Sequence, residues 1–159
     1  MKIVLVILSL AILFSCNSDK SSVIDGNWYT CTHKGGYAEM FVKDGKYKYS
    51  CDFDLVTNWQ DFEIVGDTFI QYERSDEFNS VSSIKNLFSF SNNNLVINDI
   101  TNDVTYIYSP IMQTVKHLNN NTELNKDTKV RALEIKCPDM RTPEEIREDS
   151  ALFDFNIRY

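Results

Sequence analysis

From Trp28 to Ser109 the chain repeats one unit, a short run rich in aromatic and β-branched residues followed by a turn signal. The runs are Trp28 to His33, Tyr37 to Lys43, Lys46 to Phe53, Trp59 to Ile64, Thr68 to Arg74, Ile84 to Phe90, Leu95 to Asp99 and Val104 to Ser109. Between them stand Gly35-Gly36, Asp44-Gly45, Gly66-Asp67, the Ser/Asn stretch from Ser75 to Ser83, Asn92-Asn93-Asn94 and Asn102-Asp103. Runs of this composition read as strands, and the separators supply the positive φ values that tight hairpins need. Connections of mostly about two to five residues leave no room for crossover helices, so neighbouring strands are expected to be antiparallel. The fold class read from this pattern is all-β, an eight-stranded meander. A long twisted meander closes into a barrel or folds over into a sandwich, because an open sheet exposes an edge and an apolar face.

Alternation within the runs says which side chains share a face. Tyr47, Tyr49, Cys51 and Phe53 fall on one side of their strand, with Lys46, Lys48, Ser50 and Asp52 on the other. Ile84, Asn86, Phe88 and Phe90 form a similar stripe, with Lys85 and Ser89 opposite. Twenty of the 159 residues are aromatic, most of them in these runs. Inside a barrel, Tyr47, Tyr49, Trp59 and Phe88 would fill the core or line an apolar pocket; outside it, aromatic side chains would make a contact surface for another protein. An unfilled hollow above about 300 Å³ favours a ligand site, whereas a solid core with an exposed aromatic patch favours a protein partner.

After Pro110 the pattern changes. Ile111 to Leu118 reads as a short helix, Asn119 to Asn121 as a loop and Lys129 to Ile135 as one more strand. Thr142-Pro143-Glu144-Glu145 carries the N-cap, first-turn proline and early acids of a helix running to about Phe153. The tail 111–159 holds few large apolar residues and is expected to pack on the barrel of residues 23–110 as part of one domain.

The N-terminus has a different character. Lys2 precedes twelve residues, Ile3 to Phe14, of which only Ser9 is polar. Charge and length are those of a secretory signal peptide, and the run is shorter than the roughly 20 residues of a spanning helix. Leu13-Phe14-Ser15-Cys16 follows, and it resembles the lipobox of bacterial lipoproteins. The resemblance implies cleavage of residues 1–15, a diacylglycerol on the Cys16 thiol and acylation of the new amine, which together give stable membrane anchoring. The expected location is the cell envelope, on the outer membrane. Asn17 to Ser22 is polar and reads as a tether.

Ile24-Asp25-Gly26-Asn27-Trp28-Tyr29 opens the first run with Gly-x-Trp-Tyr. This resembles the opening signature of lipocalins, and the sequence of turns and strands that follows is similar to lipocalin-like lipoproteins of Bacteroidetes-type bacteria. The resemblance implies a barrel with Trp28 as the plug of its closed end. Read from the residues alone, Trp28 is a large core side chain.

Chemistry is sparse. His33 and His117 stand apart from any Ser or Cys in a nucleophile setting, and no phosphate loop, nucleophile elbow or zinc spacing occurs. Asp52 with Asp54, and Asp61 with Glu63, are spaced as paired carboxylates, a pattern equally common on solvated strand faces. No catalytic, cofactor or metal site is assigned, and the chain is read as non-enzymatic. The formal charge is −7, which becomes −8 once Lys2 is removed, and disfavours nucleic acid as a partner. Cys31, Cys51 and Cys137 remain after lipidation. The Gly35-Gly36 turn sets Cys31 opposite about Glu39, and the Asp44-Gly45 turn sets Glu39 opposite about Ser50. Cys31 and Cys51 then lie two strand spacings apart, roughly 9.6 Å, beyond the roughly 7 Å a disulfide spans. A bridge is expected between Cys137 and either Cys31 or Cys51. The function expected is a lipid-anchored barrel that binds a small apolar ligand or serves as a passive envelope component; the alternative is a protein-interaction lipoprotein, an accessory subunit or a toxin-immunity protein.

Overall fold

The structure, a computed structural model, describes residues 23–75 and 80–149. The expected signal segment, the expected tether and Cys16 lie outside the described residues, as does the end of the expected C-terminal helix. Nine strands follow in chain order: β1 (Gly26–Cys31), β2 (Tyr37–Lys43), β3 (Lys46–Cys51), β4 (Leu55–Val56), β5 (Gln60–Val65), β6 (Thr68–Ser75), β7 (Ser80–Ser91), β8 (Asn94–Asp99) and β9 (Val104–Pro110). Each pairs antiparallel with its neighbour, and β9 returns to β1, so eight strands close a barrel with the two-residue β4 as an appendage on β3.

The turns explain the register. Asp44 and Gly45 both adopt positive φ, 52° and 72°, as a two-residue hairpin requires, and Glu39 stands opposite Ser50 as the sequence implies. The first hairpin differs, because Cys31 faces Tyr37 and Glu39 faces Tyr29. Its loop is centred on Lys34, not on the glycine pair: Gly35 N donates to Thr32 O at 3.0 Å and Gly36 N to Thr32 Oγ1 at 2.9 Å. The Ser/Asn separator is mostly strand, since β6 and β7 remain paired out to Ser75 and Ser80. Phe53 leaves its stripe: β3 ends at Cys51 and Phe53 sits exposed in the turn that follows.

The tail corrects two expectations. Ile111 to Leu118 is irregular. Lys129 to Ile135 belongs not to a strand but to α1 (Asn121–Ile135), capped by Asn120, whose side chain accepts from Glu123 N. The helix presents Leu124, Thr128 and Arg131, spaced four and three apart, to the outer face of β2 and β3. Only one of the three is apolar, so no hydrophobic stripe betrayed the helix. A second helix, α2, covers 143–149 and begins with a reciprocal cap: Glu145 N donates to Thr142 Oγ1 and Thr142 N to Glu145 Oε2. Cys137 bonds Cys31 across a Cα separation of 5.4 Å, which ties the tail to the end of β1, and Cys51 is a free, buried thiol.

Candidate functional site

The barrel interior is divided along its axis. At one end Trp28, Met40, Val42, Tyr47, Phe69 and Leu95 are buried in one apolar cluster. Tyr47, Phe62 and Phe69 meet edge to face with centroids 5.1 to 6.5 Å apart, the arrangement aromatic quadrupoles favour. Trp28 is held within this cluster. Its Nε1 donates to Ile24 O at 3.0 Å and its ring packs 6.1 Å from Phe90. The indole lies back over Gly26, where a β-carbon would come within 3.1 Å of Nε1, so Gly-x-Trp is a steric pair.

Farther along the same strands the inward residues become polar. Gln71, Asn86 and Thr30 take the positions next to Phe69, Phe88 and Trp28, and Tyr49 and Tyr108 stand between the two halves. They border a cavity of about 290 Å³, just under the hollow expected of a ligand site. One hydrogen-bonded chain runs along its wall. Asn86 Nδ2 donates to Gln71 Oε1 at 2.8 Å and Gln71 Nε2 donates to the Tyr49 hydroxyl at 2.9 Å, with Tyr108 beside them on the wall. Burial pushes Tyr49 up to about 12 and raises Tyr108 well above the usual phenol value, so both hydroxyls keep their protons at neutral pH. Asn86 Oδ1 is buried without a partner.

A seam runs beside the cavity. β1 and β9 pair only at Trp28 with Pro110 and Tyr29 with Ser109, and beyond these the strands part. A groove of about 890 Å³ separates them, and Thr30, Thr32 and Tyr106 line both hollows. Along the groove β9 leaves Val104, Tyr106 and Ile107 exposed.

The aromatic residues singled out from sequence divide accordingly. Tyr49 borders the cavity; Trp28, Tyr47 and Phe88 belong to the packed half. Trp59 is outside the barrel, over the Lys48 ammonium at 5.8 Å and donating to Asn119 Oδ1 at 3.4 Å, because β5 begins only at Gln60. Residues the sequence reading missed, Gln71, Asn86 and Tyr108, supply the polar wall; the period-two stripe that put Asn86 among Ile84, Phe88 and Phe90 was the signal for it.

The paired carboxylates are apart from the cavity and engaged. Asp52 accepts from Tyr37 N, Asp54 from Asn125 and Lys129, Asp61 from Lys46 and Glu63 from the Tyr72 hydroxyl. His33 contacts Glu145 at 3.2 Å and His117 contacts Asp127 at 3.1 Å, both on the surface. The fully buried Glu39 lies under α1, where its two oxygens accept from the Tyr37 hydroxyl, Thr128 Oγ1 and Arg131 Nε and Nη2. With both oxygens doubly engaged, this carboxylate holds the helix in place and has no lone pair left for acid–base work. Among the described residues no group of three or more His, Cys, Asp or Glu side chains is placed to hold a metal ion.

Fold and site together define the chain as an eight-stranded antiparallel β-barrel, packed at one end and hollow with a polar wall at the other. No protein-family model, curated protein or solved structure matches it.

Proposed function

We propose that this chain is a non-enzymatic lipoprotein of the cell envelope, anchored through lipid on Cys16, whose barrel binds a small molecule in its hollow half. The observation that carries the reading is the cavity of about 290 Å³ bordered by Tyr49, Gln71, Asn86 and Tyr108. Close packing leaves few voids larger than a water molecule in an ordinary core, so a hollow of this size leaves room for a small molecule. It lies just below the roughly 300–1,000 Å³ range of ordinary ligand sites, which limits the occupant to a compact molecule. The wall amends the ligand expected from sequence: beside the apolar Ile84 and Ile97 it carries the hydroxyls of Tyr49 and Tyr108, which suit a molecule with a polar group.

A second reading has its own support. The parted edges of β1 and β9, with Val104, Tyr106 and Ile107 exposed, are suited to an extended segment of a partner protein, consistent with an accessory or immunity role.

Two measurements test these readings. Native mass spectrometry of the protein from its own host should release a small molecule; a retained protein in its place would move the second reading ahead. Labelled palmitate should enter the wild-type chain and be absent from Cys16→Ala, and incorporation into the variant would refute the anchor.

A further inference from the structure

We propose that the seam between β1 and β9 is filled by this chain's own residues 150–159, which add a strand along the parted edges and wall the hollow half of the barrel on that side. The proposal is independent of what the hollow binds.

Three observations meet at the seam. The first is an edge without a full neighbour. β9 pairs with β8 from Val104 to Tyr108, but with β1 only through Ser109 and Pro110. Val104 to Ile107, about 13 Å of strand, therefore border the groove of about 890 Å³ where a partner strand would lie. Val104, Tyr106 and Ile107 are exposed there. Apolar strand edges of this kind are the ones that folded proteins cover.

The second is where α2 leads. The helix is fastened at the mouth of the groove: Glu145 contacts His33 at 3.2 Å, and Asp149 pairs with Lys34 and with Arg141, each at 2.8 Å. His33 and Lys34 both line the groove. The chain after Asp149 thus starts beside the seam, at the opposite end from Tyr29 and Ser109. A strand entering there runs antiparallel to β1 and parallel to β9. Ten extended residues reach about 33 Å, more than the open stretch requires.

The third is the sequence of the segment. Phe153, Phe155, Ile157 and Tyr159 alternate with Asp154, Asn156 and Arg158, the period-two pattern of a strand with one covered and one wet face. Aromatic and β-branched residues make up the apolar row, as they do in the barrel strands. Laid in the seam, this row would face Thr30, Thr32 and Tyr106, which line both the groove and the hollow, and the polar row would face water. On this proposal α2 gives way to a strand before Phe153.

Hydrogen–deuterium exchange of the full chain in detergent micelles, read by mass spectrometry, is the test. In the wild type the amides of residues 153–158 should exchange slowly. Deletion of residues 150–159 should speed exchange in residues 104–107 by about tenfold, the effect of roughly one lost hydrogen bond. Phe155→Asp with Ile157→Asp should reproduce that change, whereas Asp154→Asn with Arg158→Gln on the wet face should leave exchange within about twofold of the wild type. Should the truncated or substituted chains fail to fold, the wild-type exchange decides. Free exchange of residues 153–158 in the wild type, or unchanged exchange of residues 104–107 in a folded deletion variant, would overturn the proposal. Protection that rises with protein concentration would overturn it too, by making the occupant the segment of a second copy.

Discussion

A β-carbon on Gly26 would stand 3.1 Å from the Trp28 indole nitrogen, and that nitrogen caps the Ile24 carbonyl. Two small contacts thus fix the ring within the packed end. Trp28→Ala removes a buried ring and should cost about 3–5 kcal/mol, which lowers Tm by at least about 6 °C in a chain of this size. Thermal melts of the wild type and the variant measure it, and a fall below about 3 °C would mean that Trp28 is no plug. Glu39 and Arg131 make the complementary case. Arg131→Met leaves a fully buried carboxylate without its cation and should cost about 3–5 kcal/mol by urea titration. Adding Glu39→Leu to it should restore much of that loss, because the unpaired carboxylate is then gone as well.

Among the elements, the tail depends most on ties made at a distance. The disulfide closes a loop of 106 residues, and beside it Lys34 pairs with Asp149 at 2.8 Å and Met140 N donates to His33 O at 3.0 Å. Replacing both Cys31 and Cys137 by Ser should cost about 2–4 kcal/mol in denaturant titration. Trypsin should then cut faster at Lys136 and Arg141 than within the strands, because the tail loses its covalent tie while the ladder hydrogen bonds persist. Equal protection of the tail in oxidised and reduced protein would show that the surface ion pairs suffice. Exposed ion pairs are individually worth little, so the disulfide is expected to dominate.

For the whole molecule, the groups buried in the barrel set the response to alkali. Burial, with the charges of Asp52 and Glu39, pushes the Cys51 thiol from its ordinary 9.0 up to about 11, and burial lifts Tyr49 from 10.0 to about 12. In both the folded state favours the protonated form, so their contribution to stability is complete below about pH 9 and is lost as pH rises through 11 to 12. Urea midpoints should be level between pH 7 and 8.5 and then fall. Cys51→Ala should remove the earlier part of that fall, and Tyr49→Phe the later part. A midpoint that stays flat to pH 12 would contradict the burial of these groups.

The meander was legible in the chain because strand identity and turn position are local properties. Period-two alternation and Asp44-Gly45 need only a few neighbouring residues, and they led to the barrel strands and to Glu39 opposite Ser50. The spacing of turns also set Cys31 and Cys51 too far apart to bond, and the bridge in the structure joins Cys31 to Cys137. What the sequence could not carry was the meaning of inward polar residues. Gln71 and Asn86 become a wall only when β6 and β7 are set beside Tyr49 from β3 and Tyr108 from β9. Helix α1 was misread for a related reason. Its buried face is made by Arg131 and Thr128 meeting Glu39, 92 and 89 residues away, and a polar face acquires its burial only from the partner that covers it. The seam, too, was decided in three dimensions, since β1 and β9 part where the disulfide-tied tail and the loop around Lys34 take over from strand pairing.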